Sequence, residues 1–340
     1  MGEGQPCYFI AEAGVNHNGS VEVAKRLIEV AAHARADAVK FQKRSVKDLL
    51  IAEELARPYA GVNSLGRTYG EHRERLELSD EEYRELAQHA KRLDITFLAS
   101  VWDKRSADFV ETLGVPAFKV ASADLTNLPL LEHLARKGKP MIVSTGMSTL
   151  EEIRDAVDAI RQHNEQIIIL HCVSDYPCES RDVNLRVMEM LRREFDVLVG
   201  YSGHEKSGWA VTGAAVALGA VVIERHISLD RTMPGPDHAA SLDPFGLERM
   251  IVHIREDVEP ALGTPEKKIT DAEWNARERL SKSIVATCDI AAGCVIQPEM
   301  LTVKGPGTGL KPKHLSTLCG KVARRDIKAD TLVPKEALEW

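Results

Sequence analysis

The 340-residue sequence lacks the features that mark several large classes of protein. It has no apolar run long enough to span a membrane and no amino-terminal signal peptide, which predicts a soluble, cytoplasmic protein. The formal net charge is −7 and there is no basic block, which argues against nucleic-acid binding. The six cysteines do not have the spacing of a zinc site, so we expect reduced thiols. Chemistry on a small molecule is the favoured class of function.

Strand-like runs alternate with helical patterns over the first 260 or so residues. We predict strands at 8–14, 38–43, 96–101, 117–122, 140–146, 167–173, 197–202 and 221–227. Eight β/α units of this total length match an α/β fold of the TIM (β/α)8 barrel type. An open doubly wound sheet is the alternative, but no Gly-x-Gly-x-x-Gly turn follows the first run. Capping-box patterns at Ser79-x-x-Glu82 and Ser148-x-x-Glu151 predict two helix starts.

The last two predicted strands each end at or near a histidine, His204 and His226. Because side chains alternate along a strand, Glu224 and His226 share one face of the second run and point into an interior that should be apolar. A single hydrogen-bonded core histidine is the simpler interpretation. Two histidines at neighbouring strand ends, followed by the Asp- and His-bearing stretch 234–241, favour a divalent-metal site.

The active site of a TIM barrel lies at the carboxyl ends of its strands, so candidate residues can be collected there. They are Glu12, Lys40, Gln42, Ser100, Lys119, Ser122, Asp124, Ser144, Ser174, Tyr176, Ser202, His204, Glu224 and His226. A serine in such a place often caps a helix, and a lysine often reaches solvent. Lys40 and Lys119, however, lie among apolar neighbours, where an anionic ligand is the natural partner of a buried ammonium. The nearby hydroxyls indicate a phosphate.

The carboxyl-terminal part differs in character from the barrel predicted at 1–262. Residues 263–279 are polar and charged, which predicts a linker with a helical stretch. Beyond it, 289–301 and 326–338 agree at Asp, Ile, Ala, Glu and Leu, so we predict that 280–340 is a small module of two similar half-units. So small a module is expected to dock on a barrel.

A series of motifs in one order resembles the sialic acid synthase family. They are FIAEAGVNHNGS (9–20), DAVKFQK (37–43), FKVASAD (118–124), VSTGMS (143–148), LHCVSDYP (170–177), GYSGHE (200–205), ERHISLD (224–230) and GPDHAASLDP (235–244). The tail, with SIVAT, GPGTG and GKV, is similar to that family's β-rich SAF (antifreeze-like) domain. Residues 57–79 resemble the animal-type branch in particular.

This resemblance implies an enzyme that condenses phosphoenolpyruvate with N-acetylmannosamine or its 6-phosphate, giving N-acetylneuraminate or its 9-phosphate and phosphate. It further implies a divalent ion, Mn²⁺ or Mg²⁺, bound by His204 and His226, and a domain-swapped homodimer. Legionaminic and pseudaminic acid synthases share most of the motifs and remain alternatives. A metal-dependent aldolase is a more distant one, and phosphate release would separate it from a synthase.

The resemblance also implies roles for the strand-end residues. Glu12 would handle protons, and Asp124 would recognise the sugar or transfer a proton. The residues implied for the carboxylate of phosphoenolpyruvate are Lys40, Gln42 and Ser100, and those for its phosphate are Lys119, Ser122, Ser144, Ser174 and Ser202. Tyr176 and Asp237 would face the sugar.

Two positions depart from the pattern of many bacterial members of that family. Asp124 stands where they have Glu, and Gly305 stands where they have an arginine that reaches the N-acyl group from the SAF domain. The stretch that is similar to the animal-type branch carries Arg57, Arg67, Arg73 and Arg75. We expect these arginines either to contact the phosphate of a 6-phosphorylated sugar or to form a solvated basic loop.

Overall fold

The computed structural model describes residues 2, 4–61, 63–206 and 208–338. It divides into two compact units, Met1–Gly263 and Thr264–Trp340. The first unit is a closed barrel of eight parallel strands in sequence order, β1 to β8, which confirms the predicted α/β barrel. The strands are β1 Tyr8–Gly14, β2 Ala38–Lys43, β3 Thr96–Val101, β4 Phe118–Val120, β5 Met141–Ser144, β6 Ile167–Cys172, β7 Leu198–Gly203 and β8 Val222–His226.

Helices surround this barrel and connect its strands. They are α1 Val21–His33, α2 Val46–Leu49, α3 Ala52–Ala56, α4 Tyr69–Leu76, α5 Asp80–Arg92, α6 Lys104–Thr112, α7 Leu128–Ala135, α8 Leu150–Arg161, α9 Val187–Phe195, α10 Trp209–Ala217, α11 Pro244–His253 and α12 Glu259–Leu262. A π-helical turn, Ile254–Val258, joins the last two. Among the residues that the structure describes, no helix combines the length and apolarity that crossing a membrane needs.

The strands form because short apolar runs can be buried on both faces of a parallel barrel. One face packs against the helices, and the other fills the barrel interior with residues such as Ile10, Leu98 and Ile142. β4 is shorter than predicted, because Ser122–Asp124 turns into a 3-10 helix. This turn carries the end of the strand away from its extended path.

One of the two predicted helix starts is confirmed and the other is wrong by one residue. Ser79 and Glu82 form the expected capping box at the start of α5. At α8 the cap is Thr149 with Glu152, not Ser148. The Ser148 hydroxyl instead donates a hydrogen bond to the Gly146 carbonyl 3.2 Å away. That side chain therefore belongs to the preceding turn.

The second unit contains α13 Asp271–Leu280, β9 Ser283–Ala286, β10 Leu301–Lys304 and α14 Leu315–Leu318. We predicted a linker at 263–279, but the structure groups Thr264 onward with this unit. The two repeated segments hold one another reciprocally. Asp289 accepts a hydrogen bond from the Ala329 backbone N–H at 2.7 Å, and Asp326 accepts one from Ala292 at 2.9 Å.

Candidate active site

A cavity of about 300 Å³ opens at the carboxyl ends of the barrel strands. Every residue predicted from the sequence for the site, apart from Asp124, lines this cavity. These residues are Glu12, Lys40, Gln42, Ser100, Lys119, Ser122, Ser144, Ser174, Tyr176, Ser202, His204, Glu224, His226 and Asp237. The barrel gathers them because the inward positions of its successive strands meet at one end.

A network of buried charges forms the floor of the cavity. Lys40 Nζ lies 2.5 Å from Glu12 Oε2 and donates to Ser100 Oγ at 2.7 Å. Gln42 Nε2 donates to the other Glu12 oxygen at 2.8 Å. Glu224 Oε1 lies 3.6 Å from Lys40 Nζ and 3.8 Å from the Nζ of Lys119. Two ammonium groups and two carboxylates are thus held together away from water, where each charge depends on the others.

The two carboxyl groups of this network differ in proton affinity. Burial raises the pKa of Glu12, although Lys40 acts against that shift. Burial also acts to raise the pKa of Glu224. The combined attraction of Lys119, Lys40 and His204 outweighs this effect and lowers that pKa. When two titratable groups of one site shift in opposite directions, the group of higher pKa is the better candidate for holding a proton. Here that group is Glu12.

Hydroxyl groups line the part of the cavity around Lys119. Lys119 Nζ donates to Ser144 Oγ at 2.7 Å, and the Gly146 N–H donates to Ser122 Oγ at 3.0 Å. The hydroxyl of Ser174 is buried without a hydrogen-bond partner. A Cβ atom at position 146 would lie 2.2 Å from this hydroxyl oxygen, so only glycine fits there. A cation with convergent hydroxyls is a suitable cradle for a phosphate.

The two predicted histidines face one another across the cavity. Their ring centroids are 5.3 Å apart, and the ring of Tyr176 packs against that of His204 with 4.0 Å between centroids and a tilt of 31°. His204 Nδ1 lies 2.6 Å from the Val173 carbonyl oxygen, so in the neutral ring the proton is on Nδ1 and the Nε2 lone pair is free. Burial acts to lower the pKa of His204, but its contacts with Cys172 and with the Val173 carbonyl outweigh this and raise that pKa. His226 Nδ1 is buried without a hydrogen-bond partner and lies 3.7 Å from Asp237 Oδ2.

This pair has the chemistry of a metal-binding site. A backbone carbonyl that fixes the ring of a histidine is the usual outer contact of a metal ligand. Burial lowers the pKa of His226 well below its ordinary value, so this ring is neutral and its lone pair is available. Within the described part of the chain, no three or more His, Cys, Asp or Glu side chains form a complete ligand set. An ion bound by the two imidazoles would therefore need water or substrate as further ligands.

Sequence reasoning missed Arg44 and Trp102, which also line the cavity. It placed Cys172 near the site with a packing role, and Cys172 lines the cavity as well. Arg44 follows β2 and continues the alternation of Lys40 and Gln42, so its spacing was a usable signal. Its guanidinium carbon lies 4.5 Å from the ring centroid of Trp102. Of the four arginines expected to contact a sugar phosphate, only Arg73 reaches this cavity.

Asp124 lies in a neighbouring cavity of about 210 Å³, because the 3-10 turn that follows β4 redirects its side chain. We call this second cavity the arginine chamber, defined by Arg44, Arg73, Tyr69, Trp102 and Asp124, which lie in its wall. It shares Arg44, Arg73, Trp102 and Ala123 with the first cavity. The structure therefore brings the predicted site residues together in one cavity, except Asp124, which lies in the adjoining one; their roles stay predictions.

Comparisons with known proteins show which family the chain resembles. The model of the NeuB family matches residues 27–267, and that of the SAF domain matches residues 281–339. N-acetylneuraminate-9-phosphate synthase of Mus musculus is 42% identical over 341 residues, which cover 100% of this chain and 94% of the mouse protein. N,N'-diacetyllegionaminic acid synthase of Legionella pneumophila is 39% identical over 345 residues, which cover 99% and 96% of the two chains.

A solved structure is similar as well. It is that of an N-acetylneuraminic acid synthetase from Leptospira borgpetersenii in complex with citrate, with a TM-score of 0.70 and 31% identity. The match covers 80% of this chain and 90% of the Leptospira chain.

Proposed function

Because the chain belongs to the sialic acid synthase (NeuB) family, we propose that it condenses phosphoenolpyruvate with an N-acylmannosamine to give a nine-carbon 2-keto sugar acid and phosphate. The observation that carries this proposal is one cavity in which a lysine and hydroxyl cradle faces a pair of histidines. The cradle suits the phosphate of one substrate. The histidines suit a metal ion beside the aldehyde of the other.

Phosphoenolpyruvate has two anionic ends, and the cavity offers two cationic groups. Lys119 with the hydroxyls of Ser122, Ser144, Ser174 and Ser202 would hold the phosphate. Lys40, Gln42 and Ser100 would hold the carboxylate. Since both ammonium groups are already fixed by hydrogen bonds, the substrate would be positioned with little further loss of side-chain freedom.

His204 and His226 would hold the divalent ion, Mn²⁺ or Mg²⁺. A bound ion supplies Lewis-acid polarisation of the aldehyde oxygen. The hydrogen bond from His204 to the Val173 carbonyl orients its ring for this task. Tyr176 packs on that ring and, with Asp237, is placed to face the open-chain sugar.

The reaction forms one carbon–carbon bond and one carbon–oxygen bond, the latter to water, and breaks the bond between C2 and the bridging oxygen of phosphoenolpyruvate. C3 of phosphoenolpyruvate attacks the aldehyde carbon, and water adds at C2, where positive charge develops. The tetrahedral centre at C2 then loses phosphate together with the bridging oxygen, which leaves the 2-keto group. Glu12, with its raised pKa, is placed to move a proton at this stage. Asp124 would contact the sugar from the arginine chamber.

The identity of the acyl sugar is the finer part of the proposal. Relatives of similar identity are named for N-acetylneuraminate-9-phosphate and for N,N'-diacetyllegionaminic acid. The mouse protein is 42% identical to this chain and the Legionella protein 39%, and this higher identity favours N-acetylmannosamine or its 6-phosphate as the acceptor. A legionaminic or pseudaminic acid synthase is the alternative.

The test is release of inorganic phosphate from phosphoenolpyruvate with a panel of N-acylhexosamines and their 6-phosphates. We expect release only when an acceptor with a mannosamine core is present, and a nine-carbon keto acid as the second product. Lys119→Met should abolish release, whereas Lys139→Met, which changes a lysine ahead of β5 at the other end of the barrel, should not. Acceptor-dependent condensation without phosphate release would identify an aldolase instead.

We also propose, from the family resemblance, a cytoplasmic homodimer in which the tail unit of one subunit lies over the barrel mouth of the other. The six cysteines are all free, as reducing surroundings require. Light scattering of the full chain should give twice 37.5 kDa. A mixture of the His204→Ala variant with a chain that lacks 280–340 should regain activity. A monomer that is fully active would exclude this assembly.

A further inference from the structure

The turn between β1 and α1 contacts the loop that carries Asp237. This loop, residues 227–243, connects β8 to α11, and we call it the β8–α11 loop. Asp237 lines the first cavity, whereas Asn16 and Asn18 of the turn line neither of the two cavities. The side chains of both asparagines instead donate hydrogen bonds to the loop. Any effect of theirs on the site must therefore pass through the loop.

Asn16 fixes the backbone of Asp237 through one serine. The Asn16 amide nitrogen donates to Ser241 Oγ at 2.9 Å, and this hydroxyl donates to the Asp237 carbonyl at 2.7 Å. The same nitrogen donates to the Ile227 carbonyl at 2.8 Å, just beyond the end of β8. Asn16 and Ser241 are each 1% exposed, so leaving these hydrogen bonds unmade would cost the full desolvation penalty. The loop is thus held near both of its ends.

Asn18 fixes the residue that follows Asp237. The Asn18 amide nitrogen donates to the Pro234 carbonyl at 3.0 Å and lies 3.4 Å from His238 Nε2. Burial lowers the pKa of His238, so its ring is neutral, and one ring nitrogen accepts while the other donates. Because the amide nitrogen can only donate, Nε2 accepts and the proton lies on Nδ1, which is 2.7 Å from Ser228 Oγ. The imidazole therefore joins the turn to the first residues of the loop.

Two backbone conformations show how closely the turn and the loop pack. Asn18 has a φ of 50°, in the left-handed region where asparagine is enriched over most other residues. Gly235 has a φ of 154°, and a Cβ atom at this position would lie 2.5 Å from His238 Cδ2. Only glycine fits there, so the loop passes directly against the imidazole. The position of this ring is therefore determined by packing as well as by hydrogen bonds.

Asp237 is the functional group that these contacts hold in place. Its side chain is 18% exposed, and its Oδ2 lies 3.7 Å from His226 Nδ1. Its carbonyl is bound by Ser241, and the ring of the next residue is bound at both nitrogens. A carboxylate that is oriented before the substrate arrives loses less freedom when a substrate hydroxyl donates to it. The contacts of the turn therefore favour binding of the substrate that meets Asp237.

We propose that Asn16 and Asn18 are positioning residues, which orient Asp237 for the acceptor sugar without touching the sugar. The inference rests on the proposed function, in which Asp237 faces the sugar, and deepens it by naming residues that determine sugar binding. Phosphoenolpyruvate is assigned to a different set of groups, around Lys40 and Lys119. Loosening the β8–α11 loop should therefore weaken binding of the sugar and leave binding of phosphoenolpyruvate unchanged.

The experiment measures two KM values in the full-length protein, one for phosphoenolpyruvate and one for the N-acylhexosamine or 6-phosphate that the wild type turns over fastest. The test variant is Asn18→Gly, because glycine adopts the left-handed backbone freely and only the side-chain contacts are lost. We expect the KM for the sugar to rise by about threefold to tenfold, the effect of losing a hydrogen bond. The KM for phosphoenolpyruvate and kcat should stay at their wild-type values.

Asn184→Gly is the matched control. Asn184 also has a left-handed backbone, with a φ of 49°, but it is exposed and lines neither of the two cavities. This variant should keep both wild-type KM values. His238→Ala removes the contact with Asn18 from the other side and should also raise the KM for the sugar alone. Urea unfolding of each variant checks that it is folded under the conditions of the assay.

A double-mutant cycle with Asp237→Ala decides whether Asn18 acts through Asp237. If it does, Asn18→Gly should not raise the KM for the sugar any further once Asp237 has been replaced. If Asp237→Ala is too slow for kinetics, the Kd of the sugar from calorimetry serves for the same comparison.

The outcomes separate this inference from the function on which it rests. An unchanged KM for the sugar in Asn18→Gly, or an equal rise in both KM values, would leave the condensation standing and overturn the positioning role. A full further rise in the Asp237→Ala background would overturn that role as well. Absence of phosphate release by the wild type with every sugar of the panel would instead overturn the proposed function.

Discussion

The ion pair between Arg225 and Glu205 offers a sharp test of how the barrel supports the site. Arg225 lies between Glu224 and His226 on β8, with its side chain on the outer face of the strand, and Glu205 follows His204 directly. The two side chains are 1% and 0% exposed. The pair therefore joins the two strand ends that carry the histidines. The perturbation is Arg225→Met, which keeps most of the side-chain length and removes the charge.

The expected cost follows from what Arg225 leaves behind. Its guanidinium also donates to Thr212 Oγ1 at 3.0 Å and to the Glu205 carbonyl at 2.9 Å. After the change, the Glu205 carboxylate keeps only the Tyr201 hydroxyl, 2.6 Å away, as a hydrogen-bond donor among these groups. Breaking a buried pair in this way lowers the free energy of unfolding by about 3–5 kcal/mol. For a barrel of this size, we expect Tm to fall by roughly 6–20 °C.

The assay is urea unfolding followed by circular dichroism and by tryptophan fluorescence, so that coincidence of the two transitions can be checked. Arg193→Met provides the control, because Arg193 and Glu189 form an exposed ion pair with side chains 76% and 68% exposed. An exposed pair contributes at most about 1 kcal/mol. Arg225→Met/Glu205→Gln should recover part of the loss, since it no longer buries an unpaired carboxylate.

Two results would refute this reasoning. One is an Arg225→Met protein as stable as Arg193→Met, which would mean that Glu205 finds water or another partner at no cost. The other is a double variant whose loss equals the sum of the two single losses. Additivity of that kind would show that the two side chains do not interact energetically.

Three further predictions concern the site and its surroundings. Chelation should abolish phosphate release, and added Mn²⁺ or Mg²⁺ should restore it. With the metal added back, the rate of phosphate release by His226→Ala should stay at least about 100-fold below that of the wild type. Full activity of the chelated protein would contradict a metal site. With ¹⁸O in the bridging position of phosphoenolpyruvate, mass spectrometry should find the label in phosphate, and label in the sugar acid would exclude attack of water at C2. Burial lowers the pKa of His17 to about 4, from about 6.5 in the unfolded chain. Stability from this neutral ring is present above pH 6.5 and lost as pH falls through 4, by at most about 3 kcal/mol. His17→Asn should flatten that part of the urea-unfolding profile between pH 4 and 8, and an unchanged profile would mean that His17 does not titrate as described.

The sequence was most informative where a polar residue interrupts an apolar strand. A parallel strand that is buried on both faces normally consists of apolar residues, so a charged or polar side chain within it indicates a site. This argument assigned four residues to the cavity: Lys40, Lys119, Glu224 and His226. The number of strands followed from the same apolar runs, whereas β4 and β5 end before the predicted residues. The eight-strand barrel could therefore be predicted without any structural information.

The residues beyond the strand ends were harder to place, because there the alternation of side chains stops. Asp124 follows Ser122 at a spacing that suggests a shared face, but the 3-10 turn sends it into the arginine chamber. Trp102 comes after β3 and gives no pattern of its own. The prediction of a linker with a helical stretch at 263–279 relied on composition, and α13 begins within that stretch. Composition does not show with which unit such a helix groups, and the linker itself stays a prediction.

The three successive residues Glu224, Arg225 and His226 also fix how the ring of strands closes. β8 is the closing strand, since it pairs with β7 on one side and with β1 on the other. A slip of one residue would turn the guanidinium into the cavity and move the carboxylate and the imidazole into the apolar layer beneath the helices. Both displacements would leave polar groups without hydrogen-bond partners, which costs free energy. The residues that line the site thus also determine the register in which the last strand pairs with the first.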